Sequence, residues 1–158
     1  MVEIPSLGTR GGGWVALQFA LLAAILAVGL VAPGWPDGAR WWLKGVGVLL
    51  VFCGVFVIVQ ASRALGSGLT PFPKPADGAT LVESGPYAVV RHPIYAGGIL
   101  FAAGISLALS PWALVVTAAL ALVWALKAGV EERFLATEYP AYQDYRERTR
   151  FRLIPYLY

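Results

Sequence analysis

Apolar and polar stretches alternate along this chain in blocks too long for a soluble fold. Positions 14–32 are apolar except for Gln18, a second apolar block fills 41–65, a shorter one 94–109, and a fourth opens at Pro111. About 20 apolar residues at 1.5 Å each cross a hydrocarbon core of roughly 30 Å. The pattern therefore predicts an all-α integral membrane protein with about four spans, at 14–32, 41–65, 94–109 and 111–132, in a single domain over 1–158. The first block lacks a small-residue cleavage site and reads as a retained span. The breaks fit the same scheme. A turn from Pro33 to Gly38 separates the first two spans, with Trp35, Trp41 and Trp42 at the level of an aromatic belt. Ser110 and Pro111 supply an N-cap and an N1 proline, which makes the third and fourth spans a hairpin. Gly45, Gly47 and Gly54 suggest a helix face open to close approach.

Three segments stay outside the apolar blocks. The Gly-rich leader, 1–13, is expected to fray or lie along the surface. The interval 66–93 is rich in proline, which forbids regular helix, and a connection of that length is usually a lid or binding loop. The fourth helix is expected to carry on past the membrane to Glu138, leaving a tail at 133–158 that mixes tyrosines with Arg146, Arg148, Arg150 and Arg152. That mixture suits an interface, so the tail is expected to fold back and close a pocket.

Composition narrows the function. Of 158 residues, 58% are hydrophobic and only 13% charged, against about a quarter charged in soluble domains. A net charge of +3 without a basic stripe excludes nucleic-acid binding. A single Cys53 and a single His92 leave no intrachain disulfide and argue against a protein-ligated metal. Arg10, Arg63, Lys74, Arg91, Arg133 and the tail arginines fall on one side of a four-span arrangement, with Arg40 and Lys44 on the other. The positive-inside rule then turns both termini and the long loop to the cytoplasm.

The chemistry concentrates where the long loop meets the third span. Gly85, Pro86 and Tyr87 lead to Arg91, His92, Pro93, Tyr95 and Gly97, and each proline restricts the residue before it, which sets the path of the loop. Isolated arginines and tyrosines at a membrane border are ordinary anchors. Here they join the sole histidine, and about 40 residues later Glu131, Glu132 and Arg133 return to the same border. Adjacent glutamates point about 100° apart on a helix, so one is expected to face a pocket and the other an arginine.

This combination, with Leu135, Tyr139, Tyr142, Tyr145 and Pro155 beyond it, resembles the isoprenylcysteine carboxyl methyltransferase and phospholipid methyltransferase superfamily over roughly 65–155, in a small prokaryotic form. The resemblance implies an S-adenosylmethionine-dependent membrane methyltransferase of a bacterial or archaeal cytoplasmic membrane, with its site facing the cytoplasm. It implies cofactor contacts from Tyr87, His92, Pro93, Tyr95, Gly97 and Glu132, with Gly66 and Gly68 as looser candidates. The partners it implies are membrane lipids and a lipophilic methyl acceptor, either an isoprenylcysteine-like carboxylate or an amine-headed lipid. Oligomeric state is not legible. A carboxylate acceptor needs a cation to position it, for which Arg91 and Arg133 are the candidates. An amine or thiol acceptor needs a base, for which Glu131 is the candidate. Two rival readings are a sterol-reductase-like NADPH enzyme, disfavoured because 74–91 holds only two cations for a dinucleotide's phosphates, and a scaffold without catalysis.

Overall fold

A computed structural model describes residues 4–156. All regular structure among them is helical: α1 (Gly12–Val31), α2 (Asp37–Leu65), α3 (Pro93–Leu109), α4 (Pro111–Glu138) and a short α5 (Tyr142–Arg148). Helices α1, α2 and α4 are long and apolar enough to cross a membrane, and α3 is a shorter apolar helix. Phe19, Leu26, Phe52, Phe56, Val115 and Leu122 face outward, while Gln18, Ser106, Thr117, Lys127 and Glu132 are buried. Apolar outside and polar inside is the distribution expected when lipid is the solvent.

The helix ends follow local chemistry. Ser110 Oγ accepts the Trp112 amide at 3.3 Å as the N-cap of α4, and also donates to the Pro33 carbonyl at 2.8 Å, pinning the first turn to the hairpin. Helix α2 starts at Asp37, four residues ahead of the predicted span, because Pro36 serves as N-cap and Asp37 places an acidic side chain in the first turn. Helix α3 packs most extensively on α2 and also on α4 and α1, and α1 packs on α4. The α2–α3 interface is made by glycines: a methyl group on Gly54 would lie 2.6 Å from the Gly97 carbonyl oxygen, and one on Gly104 would lie 2.5 Å from that of Gly47. Gly45, expected on the same face, points into open space, because two residues turn a helix by about 200°.

Sequential helices α1 and α2 have no comparable interface with each other. Between them, at the end that carries both termini and the long loop, the bundle is filled by loop residues. The leader does not fray over the described residues. Trp14 Nε1 donates to the Pro5 carbonyl at 3.0 Å, Arg10 lies 5.0 Å over the Phe72 ring, and Pro73 fills the space beside Gly11. Positions 1–3 of the leader and 157–158 of the tail lie outside the described residues.

Candidate active site at the loop end of the bundle

Pro93 is the first residue of α3, and His92 before it is held out of helical conformation, with φ −126° and ψ 64°. The amides of Arg91 and His92, outside the helix, donate to the carbonyls of Phe151 and Arg152, each at 3.0 Å. The tail folds back and pairs with the motif.

A buried ion cluster reinforces that pairing. Arg91 donates from Nε to Glu132 Oε1 at 2.9 Å and from Nη1 to the carbonyls of Thr149 and Arg150 at 2.7 and 2.6 Å. Arg152 binds Glu132 with two nitrogens, at 3.1 and 2.8 Å, and His92 Nε2 donates to the same carboxylate at 3.2 Å. Glu132, only 6% exposed, is therefore saturated by three donors from two segments. The adjacent Glu131 is a quarter exposed on its side chain and accepts Tyr95 Oη at 2.6 Å, with His92 Nδ1 3.7 Å from the same oxygen. The expected division between the glutamates is present: Glu132 meets the arginines and Glu131 faces a cavity.

That cavity, about 340 Å³, is within the range of small-molecule sites. Its floor and walls come from Gln18 of α1, Leu65 of α2, Leu69 to Pro71 of the loop, Tyr87, Arg91, His92, Ile94 and Tyr95, and Trp124, Lys127 and Glu131 of α4. A column of near-parallel rings forms one side: His92 and Tyr95 are 5.5 Å apart at 4°, Tyr95 and Trp124 5.8 Å apart at 10°. The paired glycines after Tyr95 explain how the column fits. Gly97 abuts α2, while a methyl group on Gly98 would come within 2.6 Å of the Trp124 ring, so the indole occupies the notch it leaves. A smaller cavity of about 80 Å³ adjoins the first under the proline-rich loop, sharing Tyr87, Arg91 and Glu131 and adding Gly68, Tyr139 and Tyr145.

The tail completes this second space. Tyr145 Oη donates to the Tyr87 carbonyl and Tyr139 Oη to the Ala79 carbonyl, both at 2.8 Å. Burial pushes the Tyr87 hydroxyl well above its ordinary range, with the nearby Glu131 charge adding to it, and burial does the same to Tyr142 and Tyr145. All three remain neutral at physiological pH.

Of the residues singled out in sequence, Tyr87, Arg91, His92, Tyr95 and Glu131 line the cavity. Glu132 lies behind it in the ion cluster, Pro93 and Gly97 serve the backbone path and helix packing, and Gly66 lines neither cavity. Arg133 is not brought to the site. It projects outward, donating to the Ile4 carbonyl and lining a separate surface hollow with Pro5, Phe134 and Thr137. Sequence reasoning missed Gln18, Trp124, Lys127 and Arg152. For two of these a signal existed: Gln18 is the lone polar residue of its span and Lys127 the lone charge of α4 before Glu131, and polar groups at membrane depth mark sites.

The model of the family described as phospholipid methyltransferase matches residues 42–142, from the second turn of α2 to the first residue of α5, including the whole loop, the Arg91–Glu132 pair and the ring column. The chain belongs to the phospholipid methyltransferase family. Over 74 residues it is also 42% identical to the cobalt-zinc-cadmium resistance protein CzcN of Cupriavidus metallidurans, an alignment covering 44% of this chain and 33% of that protein. The match thus spans about a third of that relative's length. Among the described residues of this phospholipid methyltransferase family member, no group of three or more His, Cys, Asp or Glu side chains is placed to hold a metal ion.

Proposed function

We propose that this protein transfers a methyl group from S-adenosylmethionine to a lipophilic acceptor carried in the membrane, in the cavity between Glu131, Lys127 and the ring column. The supporting observation is the composition of that one cavity: a carboxylate at Glu131, cations at Lys127 and Arg91, and the faces of Tyr87, Tyr95 and Trp124. This set suits a ligand that carries an ammonium, a carboxylate, a diol and a sulfonium, since aromatic faces and a carboxylate favour the cationic centres. S-adenosylmethionine, when bound, supplies the activated methyl group. His92, Tyr95, Tyr87 and Glu131 are the residues that would hold it, and Glu132 acts one layer out by holding Arg91 and His92 in place.

The remaining task of the chain is alignment and exclusion of water, the main levers for a displacement that needs no protein nucleophile. The loop from Leu69 to Pro75 and the returning tail cover the site on the water side. An acceptor with a hydrocarbon tail would reach the site sideways from the bilayer, between helices of the bundle. The arginine-rich end lies in the cytoplasm on this reading, where the soluble cofactor is found. Titration calorimetry of detergent-purified protein with S-adenosylmethionine and its demethylated product should show micromolar binding, followed by transfer of labelled methyl groups to a prenyl- or acyl-tailed acceptor. Absence of binding by either, with binding of NADPH instead, would refute the reading.

A further inference from the structure

The end of the bundle opposite the candidate active site carries a second polar feature. There the last turn of α1, the connection that follows it, the start of α2 and the end of α3 border a hollow of about 350 Å³, lined in part by Leu30, Gly34, Trp35, Arg40, Lys44 and Leu109. Arg40 and Lys44 stand four residues apart on α2, so both project from one face of it, where like charges repel. Little on the chain offsets that repulsion. Arg40 reaches Asp37 at 3.7 Å, but this carboxylate is almost wholly exposed, and such pairs contribute little. Lys44 is partly buried, yet its Nζ has no hydrogen bond or ion pair among the described residues and lies 5.2 Å from the centre of the Trp41 ring. Trp35 adds a third donor in the wall of the hollow, for its Nε1 is buried with no hydrogen-bond partner among the described residues. Chains seldom keep a buried donor unpaired unless something else completes it.

Charge names the class of ligand. The segments that meet at the hollow, 29–44 and 108–112, hold two cations against one carboxylate, so an anion is favoured there and a cationic head is not. A phosphate fits both side chains, because its oxygens can accept from the Arg40 guanidinium and the Lys44 ammonium together and so relieve their repulsion. The surroundings separate a lipid's phosphate from a soluble one. Leu30, Val31, Trp41, Trp42 and Trp112 belong to the same end of the bundle and are all exposed, and indoles in that position mark the head-group level of a bilayer. A soluble anion would leave this apolar rim untouched, whereas the chains of a phospholipid would lie against it while the phosphate enters the hollow.

We propose that this hollow binds the phosphate of an acidic phospholipid from the leaflet opposite the candidate active site, with Arg40 and Lys44 holding the phosphate and Trp35 in the wall. The head would touch the ends of α1, α2 and α3 at once, and so would join the first connection to the α3–α4 hairpin, which Ser110 Oγ already ties together through the Pro33 carbonyl. None of these residues lines the candidate active-site cavity, so binding here does not depend on methyl transfer.

The test is native mass spectrometry of the full chain released from detergent, titrated with phosphatidylglycerol and with phosphatidylcholine of the same acyl chains, which share a phosphate but differ in net charge. Wild type should bind its first phosphatidylglycerol about tenfold more tightly than its first phosphatidylcholine. Arg40→Gln with Lys44→Gln should lose about that factor for phosphatidylglycerol and leave phosphatidylcholine within about twofold. Arg146→Gln with Arg150→Gln, which removes the same charge from exposed positions at the other end, should leave phosphatidylglycerol within about twofold. Should the first double variant fail to fold, Gly34→Leu decides the matter: it keeps both cations, its Cβ would meet the Leu109 carbonyl oxygen at an ordinary 3.6 Å, and its side chain occupies the hollow, so the preference should vanish. Equal binding of the two lipids by wild type overturns the proposal, as does a preference that survives the loss of both cations or the filling of the hollow. Loss of the preference in the tail variant would show attraction to charge in general, and displacement of phosphatidylglycerol by an equimolar amount of inorganic phosphate would assign the hollow to a soluble anion; either result overturns the lipid site.

Discussion

At the scale of single residues, two adjacent glutamates do unlike work because a helix turns about 100° between them. Glu132 is saturated by Arg91, His92 and Arg152 and has almost no exposure, so its removal strands two guanidinium groups at a buried site. Breaking a buried ion cluster from one side costs about 3 kcal/mol or more. Glu132→Gln is therefore expected to lower the thermal midpoint of the purified protein by several degrees, with cofactor binding weakened in proportion to the loss of fold. Glu131→Gln should do the opposite, leaving the midpoint within about a degree while weakening S-adenosylmethionine binding roughly tenfold, since it accepts one hydrogen bond, from Tyr95, which glutamine can keep, and has only a looser contact with His92 Nδ1. Thermal unfolding and calorimetry on both variants check the pair, and an equal loss of stability in the two would contradict the division of roles. The pairing of the glutamates was legible as an alternative in the sequence. Which one faces the cavity was not, because it depends on the rotation of α4 against a tail 20 residues away.

At the scale of elements, α2 and α3 meet backbone to backbone through Gly47, Gly54, Gly97 and Gly104. In lipid this closeness replaces the hydrophobic drive that holds soluble helices together. A methyl group on Gly54 would meet main-chain atoms at 2.6 Å, and main chain does not swing aside as a side chain can. Gly54→Ala should cost about 1–3 kcal/mol by overpacking, measured by denaturant titration in mixed micelles. Gly45→Ala, whose added methyl meets nothing within 4 Å, is the control and should be neutral or slightly stabilising. Comparable losses in both would show that helix propensity, and not interhelical contact, is being measured. The positions of the helices themselves were readable from apolar length and from the Ser110–Pro111 cap. The partners of each helix were not, since every apolar face looks alike in hydrocarbon.

At the scale of the whole molecule, the candidate site lies where a loop rich in proline and glycine closes the end of an apolar helical bundle, with lining from α1, α2, α3 and α4. A soluble cofactor and a membrane-borne acceptor would meet there without either leaving its own medium. Lengthening the hydrocarbon tail of an acceptor while keeping its head constant should lower KM by at least about tenfold at nearly constant kcat, because the tail contributes binding from the bilayer and nothing at the reacting atoms. Equal KM values for a tailless acceptor and its prenylated counterpart in detergent would rule out lateral entry.

The sequence by itself determined what rests on local rules: helices long enough to span a membrane, prolines and glycines that punctuate them, an arginine-rich end, and a motif dense enough in rare residues to mark a candidate site and the family. Tertiary structure alone decided which charges meet. Arg91, an acceptor candidate by sequence, spends its donors on Glu132 and on the carbonyls of Thr149 and Arg150. Arg133, adjacent to Glu132 in the chain, turns outward to the leader. Gln18 and Lys127, 109 residues apart, share one hydrogen bond at the floor of the cavity. The physical reason is range. Hydropathy and capping act within a few turns of one helix, whereas an unpaired charge in hydrocarbon must find its partner wherever the fold brings one, and that partner has no fixed distance along the chain.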